Sequence, residues 1–248
     1  MNLILVSSDE VGPRGEVTLT DRRADHIRTI LKGREGQSLR VGMLDGPLGT
    51  GMIKTVGPDD VTLRCVFADP IPERPPVDLL LALPRPKVMQ RLWASIASLG
   101  VGRIMLTNAQ KVERCYFDTH VLKPEFYTER LKEGLEQAMD TRLPEVSIHR
   151  QLKVLIEENL GKKATDTLRL VSDPGSPRRV ADAVRASSHG RILLAVGPEG
   201  GWSAYEMDLL RKHGFTEVGI GPRTLRSDTA CIALLALVHD ALPKPGQD

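Results

Sequence analysis

Two short runs of glycine and proline carry the residue types and spacing most able to do chemistry in this chain. In the first, the apolar stretch Ile192 to Val196 runs straight into Gly197-Pro198-Glu199-Gly200-Gly201 and then Trp202. Ser203 follows, with Glu206 three residues on, a capping-box pattern that opens a helix. Glycines at such a junction permit positive φ and let a ligand approach the backbone, while free N–H groups at the helix start bind acceptor atoms. An ordinary tight turn uses the same residues, so this loop alone decides nothing. In the second run, Val218-Gly219-Ile220-Gly221-Pro222 ends the next apolar stretch and leads through Arg223-Thr224-Leu225-Arg226-Ser227-Asp228-Thr229-Ala230 into the last helix. Two successive strands ending in Gly-Pro loops form a more specific pattern than either loop by itself.

The commoner nucleotide-binding patterns are missing. A dinucleotide fold needs GxGxxG in its first strand-to-helix turn, and Pro84-Arg85-Pro86 stands there instead. No GxxxxGK followed by Ser or Thr occurs. Cys65, Cys115 and Cys231 lie far apart, with no CxxC pair, and the six histidines form no cluster with metal-ligand spacing. The expectation is therefore free thiols and no metal.

The elements that must hold these loops follow from hydrophobic rhythm. Ala68 to Pro76 packs four prolines into nine residues, which marks a linker. Before it, β-type runs at Asn2 to Val6, Gly15 to Leu19, Gln37 to Met43, Gly49 to Val56 and Val61 to Phe67 are separated by Gly, Pro and Asp turns, with one helix over Arg22 to Leu31. That predicts a small β-barrel-like domain over residues 1–70. After it, strands near 78–83, 103–107, 146–149, 167–172, 191–196 and 216–220 alternate with helices near 87–99, 124–139, 152–160, 178–186, 203–213 and 229–241. Such alternation predicts, over residues 77–248, an α/β domain with a mainly parallel sheet and helices on both faces. Ligands of such sheets sit outside the carboxyl ends of the strands, at a switch in strand order.

Composition bounds the function. Hydrophobic residues make up 41% of 248, enough for a real core. The net charge of +2 is far from the basic balance of a dedicated nucleic-acid module. With 4% aromatic residues, a surface lined with stacking rings is not expected, so RNA contact must rest on charge and shape. The opening MNLILV has no basic region before it and no cleavage-like site after it, and the longest apolar stretch, Ala230 to Val238, is about half a membrane span. The expectation is a cytoplasmic protein with no membrane partner.

Val196-Gly197-Pro198-Glu199-Gly200-Gly201-Trp202-Ser203, followed by Ile220 to Ala230, resembles the signature of the RsmE-type 16S ribosomal RNA uridine-N3 methyltransferases, members of the knotted SPOUT class. The resemblance spans nearly the whole chain. His26 to Gly36 is similar to the pattern of that family's PUA-like N-terminal domain, and Leu99-Gly100-Val101 and Glu136-Gln137-Ala138 with Arg142 and Pro144 match further along. It implies a PUA-like RNA-docking domain, a trefoil knot in the C-terminal domain, a homodimer with sites completed across the interface, and small-subunit ribosomal RNA as substrate within the subunit. It also implies S-adenosyl-L-methionine held by Gly197, Glu199, Gly200 and Gly201 of the first loop and by Ile220, Gly221, Leu225 and Arg226 of the second. The chain departs from the family at Ser95 and Ser98, where Lys and Glu are usual, in the absence of Arg and Phe from MNLILV, and at Ser227-Asp228, where Thr-Glu is usual.

The implied chemistry asks little of the protein. A sulfonium methyl is already activated, so alignment and exclusion of water suffice, without a metal. Uridine N3 carries a proton, and cations aimed at the uracil oxygens would stabilise the anion that forms as it leaves. Arg226 and Arg142 are the candidates, with Gln137 as an orienting amide; a structural ion pair or phosphate contact is the alternative for each arginine. Glu199 is read as securing its loop rather than as a base, and His26 as structural. Two other functions compete with this reading: a SPOUT enzyme acting on another RNA, such as a tRNA ribose, and a non-catalytic RNA-binding or ribosome-assembly protein.

Overall fold

The computed structural model describes residues 2–160 and 166–243. Their contacts define two units, Met1–Arg74 with Glu129–Leu143, and Pro75–Thr128 with Pro144–Asp248.

The first unit is a curled five-stranded sheet in the order β1-β3-β4-β5-β2, built from β1 (Ile4–Val6), β2 (Glu16–Leu19), β3 (Ser38–Met43), β4 (Leu48–Val56) and β5 (Val61–Val66). Alternation decides which way each strand faces: Val17 and Leu19 of β2, and Val61, Leu63 and Cys65 of β5, point into one core with Ile4, Val41 and Ile53. β1 pairs with β3 in parallel while the other pairings are antiparallel, and the β4–β5 register shifts between Ile53 and Thr55. Asp21 caps α1 (Arg22–Asp25) by accepting from Arg23 N at 2.8 Å, and the chain continues as a π-helical turn, His26–Ile30, that buries Ile27.

Linear reading cuts the chain once, at the proline-rich segment, whereas the contacts return Glu129–Leu143 to the first unit. The reason is polar. In the second half of α3 (Pro124–Ala138), the buried carboxylate of Glu136 accepts both arms of the Arg22 guanidinium, at 2.8 and 3.0 Å, and its carbonyl accepts from Asn2 N and Leu3 N. The fully buried Thr141 donates its hydroxyl to Gly46 O at 2.6 Å.

The second unit is a six-stranded parallel sheet in the order β11-β9-β10-β6-β7-β8, from β6 (Val77–Ala82), β7 (Arg103–Thr107), β8 (Glu145–His149), β9 (Thr167–Ser172), β10 (Arg191–Val196) and β11 (Thr216–Val218). Its helices are α2 (Pro86–Ser98), α4 (Leu152–Val154, continuing as a π-helical turn, Leu155–Asn159), α5 (Val180–Arg185), α6 (Ala204–Lys212) and α7 (Ser227–Ala241). Every residue of β6 is buried, as befits a central strand covered on both faces. At its amino end the carboxylate of Asp78, wholly shielded from solvent, ties three strands together: Arg103 of β7 donates to Oδ2 from Nη2 at 2.6 Å, and Arg191 of β10 donates to Oδ1 at 2.8 Å.

From β6 the chain winds one way through β7 and β8, while β10, β9 and β11 lie on the other side. The switch in strand order therefore falls between β6 and β10.

Candidate active site

Both glycine loops lie at the carboxyl edge of the parallel sheet. The loop after β10 and the loop before α7 wall a cleft of about 420 Å³, with the turn Ser172-Asp173-Pro174 after β9 as its third side. Gly197, Glu199, Gly200, Gly201 and Leu225 line it, together with Trp202, Met207 and Ala230. An adjoining smaller cavity shares Ser172 to Pro174, Leu225 and Ala230 and adds Ile220 and Gly221. Thus all the glycine-loop residues expected to hold a cofactor, except Arg226, line one continuous depression.

The local backbone explains the glycines. Gly201 has φ 70° and Gly221 has φ 129°, and an added Cβ at either would meet nothing within 4 Å. Backbone conformation, not crowding, demands glycine at both positions. The first loop is braced twice: Gly201 N donates to Pro198 O at 2.8 Å, and Lys111 Nζ donates to Gly200 O at 2.6 Å. Ser203 and Glu206 form the expected capping box, and Glu206 also accepts from Gln110 N at 2.6 Å, so its buried carboxylate is fully used in fixing the start of α6.

The cleft suits a cofactor with both apolar and polar parts. Leu225, Met207 and Ala230 supply apolar wall. Among the described residues the buried indole N–H of Trp202 has no hydrogen-bond partner, and it lies where a Cβ on Gly197 would come within 3.0 Å. An orphaned donor beside a glycine that leaves space is what a bound group with acceptor atoms would satisfy.

A second cavity of about 400 Å³ opens at the switch between β6 and β10. Arg226, Arg85 and Arg91 line it, and it shares Glu199 and Ser227 with the cofactor cleft. Glu199 Oε1 accepts from Arg85 N at 3.3 Å, which ties the first glycine loop to the turn after β6. Arg91 donates to Asp228 at 3.3 Å. Arg226, the N-cap residue of α7, is exposed, and its guanidinium has no hydrogen bond or ion pair among the described residues.

Arg142 and Gln137 belong to the first unit. Arg142 Nη1 donates to Asp45 O at 3.1 Å and lies 3.9 Å from the Asp45 carboxylate, while the exposed Gln137 accepts from Asn2 Nδ2 through its backbone carbonyl. Asp173 and its neighbours, Arg85, Arg91 and Lys111 escape linear reading. The Asp173-Pro174-Gly175 turn directly after an apolar strand is a usable signal for the first; Pro84-Arg85-Pro86 excludes a dinucleotide loop and says nothing of where Arg85 reaches.

The buried thiols take no part. Burial pushes Cys65 up to about 11 and Cys231 up to about 12. Among the described residues, no group of three or more His, Cys, Asp or Glu side chains is placed to hold a metal, and no helix is long and apolar enough to cross a membrane.

The class is that of an RNA methyltransferase domain, whose family model matches residues 72–239. Within that class, the chain belongs to the ribosomal RNA small subunit methyltransferase E family. The relative of that description from Treponema pallidum is 30% identical over the whole of this chain and 96% of its own, and one from Borreliella burgdorferi is 25% identical over 94% and 95%. Among solved structures, a ribosomal RNA small subunit methyltransferase E from Neisseria gonorrhoeae bound to S-adenosyl methionine has the same fold, with a TM-score of 0.76, 20% identity and 97% of each chain covered.

Proposed function

We propose that this enzyme transfers a methyl group from S-adenosyl-L-methionine to N3 of a uridine in small-subunit ribosomal RNA. The observation that carries the reading is the junction of two cavities: a glycine-loop cleft fit for the cofactor shares Glu199 and Ser227 with a pocket in which the guanidinium of Arg226 is unspent.

When bound, the cofactor supplies an activated methyl group. The backbones of Gly197, Gly200, Gly201, Ile220 and Gly221 would hold it, with Leu225 and Trp202 beside them. Glu199 keeps its loop in place through Arg85 N. A uracil ring entering the second cavity brings a carbonyl oxygen toward Arg226, whose planar fork donates to that oxygen as the N3 proton departs to water. Attack by N3 would then form the N–methyl bond at the expense of the donor's sulfur–methyl bond. Arg142, held by Asp45, and Gln137 enter this scheme as RNA-positioning groups of the first unit rather than as partners of Arg226 in the reaction.

The first unit serves as the PUA-like RNA-docking domain and the second as the SPOUT domain with its trefoil knot. The working form is a cytoplasmic homodimer acting on the ribosomal subunit. In support, α7 buries Cys231, Leu234, Leu235 and Val238 on one face yet leaves Ile232 and Leu237 of its opposite side exposed in the single chain, apolar surface that a second copy would cover. Incubation with small subunits lacking their own methylations, followed by mapping of the modified base, tests the proposal. N3-methyluridine is the expected product; a methylated ribose would refute the assignment.

A further inference from the structure

A third depression, of about 630 Å³, lies on the same carboxyl edge, at the ends of β7 and β8. It is separate from the cofactor cleft and the Arg226 pocket, and α6 stands between them as a wall. Met207 and Arg211 of that helix face the cofactor cleft, whereas Tyr205, Glu206 and Leu209 face the groove. From the β6–β10 switch to the ends of β7 and β8 is two strand spacings, or about 10 Å. That is the scale of a neighbouring nucleotide, not of a remote domain.

The lining has the chemistry of a single-stranded nucleic-acid subsite. Arg114, Arg150 and Lys153 are its cations, and all three are exposed; Arg150 donates to Asp118 at 2.8 Å and Lys153 lies 4.0 Å from Glu157, solvent-exposed pairs weak enough for a phosphate to displace. The one acid, Glu206, is consumed by Ser203 and Gln110 N, so the groove opposes a phosphate with no free carboxylate of its own. Tyr205, 62% exposed, offers a ring on which a base can stack, in a chain otherwise poor in aromatic residues.

We infer that this groove binds the RNA strand next to the modified nucleotide, stacking one flanking base on Tyr205 and neutralising its phosphate with Arg114 and Arg150. The inference rests on the chain acting on RNA through the Arg226 pocket. Its structural basis is the position of the groove on the same sheet edge as the Arg226 pocket and the excess of cations among its lining residues. The brace from Lys111 to Gly200 O starts one residue from Gln110, which lines the groove, so a strand seated there would also press on the segment that steadies the first glycine loop.

The test uses the full-length protein and an unmethylated transcript of 16S ribosomal RNA. Ultraviolet cross-linking with peptide mapping should place a cross-link at Tyr205. Tyr205→Ala should raise the RNA Kd about tenfold, with Tyr205→Phe close to wild type because the ring remains. Arg114→Ala should weaken binding and lower the salt slope by about one, while Lys212→Ala, at the far end of α6, should not. Calorimetric affinity for S-adenosyl-L-methionine should stay within about twofold in all of them. Cross-links confined to other segments, with Tyr205→Ala and Arg114→Ala binding like wild type, would overturn the groove while leaving the proposed reaction standing. A cross-link at Tyr205 in a protein that makes no N3-methyluridine would instead support the groove and remove the target assignment.

Discussion

Substitution at Gly221 isolates backbone strain from crowding. Its φ of 129° lies outside the range that L-residues adopt, and an added Cβ would meet nothing within 4 Å. Gly221→Ala therefore tests conformation alone. Holding alanine in a sparsely populated region costs about 1 to 3 kcal/mol. If the loop keeps its shape only when the cofactor is bound, that cost appears as a rise in Kd of about 5- to 150-fold for S-adenosyl-L-methionine, at 1.4 kcal/mol per factor of ten. If the fold holds the loop regardless, the cost appears in thermal unfolding, where 1 kcal/mol is worth about 2 to 4 °C in a chain of this size. Gly201, at φ 70°, sits in the left-handed region that asparagine tolerates, so Gly201→Asn should cost less than Gly201→Ala. Gly200 is not among the residues with positive φ, and a Cβ there meets Lys111 Cδ at 2.7 Å, a flexible neighbour that can swing aside. Calorimetry and thermal unfolding on the four variants should rank Gly221→Ala and Gly201→Ala as the most damaging and Gly200→Ala as mild. Wild-type affinity and wild-type Tm in Gly221→Ala would refute the reasoning, and so would a larger effect at Gly200 than at Gly221.

Arg226→Ala should lower the single-turnover rate at saturating RNA and cofactor by about two orders of magnitude, with Arg226→Lys recovering only part; restoration of the wild-type rate by excess RNA would make Arg226 a docking residue. Asp78→Asn removes the anion between two arginines that are themselves partly in water, 46% and 34% exposed, so the cost of breaking a buried pair is discounted to roughly 2 to 3 kcal/mol, a fall in Tm of about 4 to 12 °C. Burial holds the His239 imidazole below its ordinary 6.5, so its neutral form belongs to the fold; stability is retained above that pH and lost as the pH falls below it, and urea titrations at pH 7.5 and 5.5 should differ less in His239→Gln than in wild type. Light scattering at micromolar concentration should give twice the chain mass of 27.3 kDa, and a monomer would remove the homodimer from the proposal.

Period and punctuation made the elements legible. Strands at 103–107, 167–172 and 191–196 lie where apolar runs and turn residues put them, because a buried parallel strand has little freedom in composition. The tail of the last strand differs: β11 ends at Val218, and Gly219 instead bridges to Arg179, since the turn after β9 comes back to meet it. The return of Glu129–Leu143 to the first unit was illegible for a different reason. Nothing in α3 interrupts the helix at Glu129; the change of allegiance is made by Glu136, a charged residue on a helical surface that linear reading assigns to solvent or RNA, and only the opposing Arg22, more than a hundred residues away, turns it inward.

The walls of the candidate cleft were legible in the backbone, whereas the reach of the side chains around it was not, for a physical reason. A ligand cradle made of N–H and C=O groups constrains the chain to glycine and proline, and those residues announce themselves in sequence wherever they fall. A guanidinium works by where its reach ends, and four or more rotatable bonds leave that point undetermined by sequence position. Arg226 and Arg142 look alike in the linear chain; in the fold one is an unspent N-cap residue on a cavity and the other is held by Asp45. Arg85 carries the converse lesson. Read in sequence, it sits between two prolines that exclude a dinucleotide loop, yet the same stiffness fixes the turn after β6, so that its N–H meets Glu199 and its side chain joins the Arg226 pocket. The proline pair that excludes a dinucleotide loop thus helps to build a wall of the cavity in which the proposed reaction is placed.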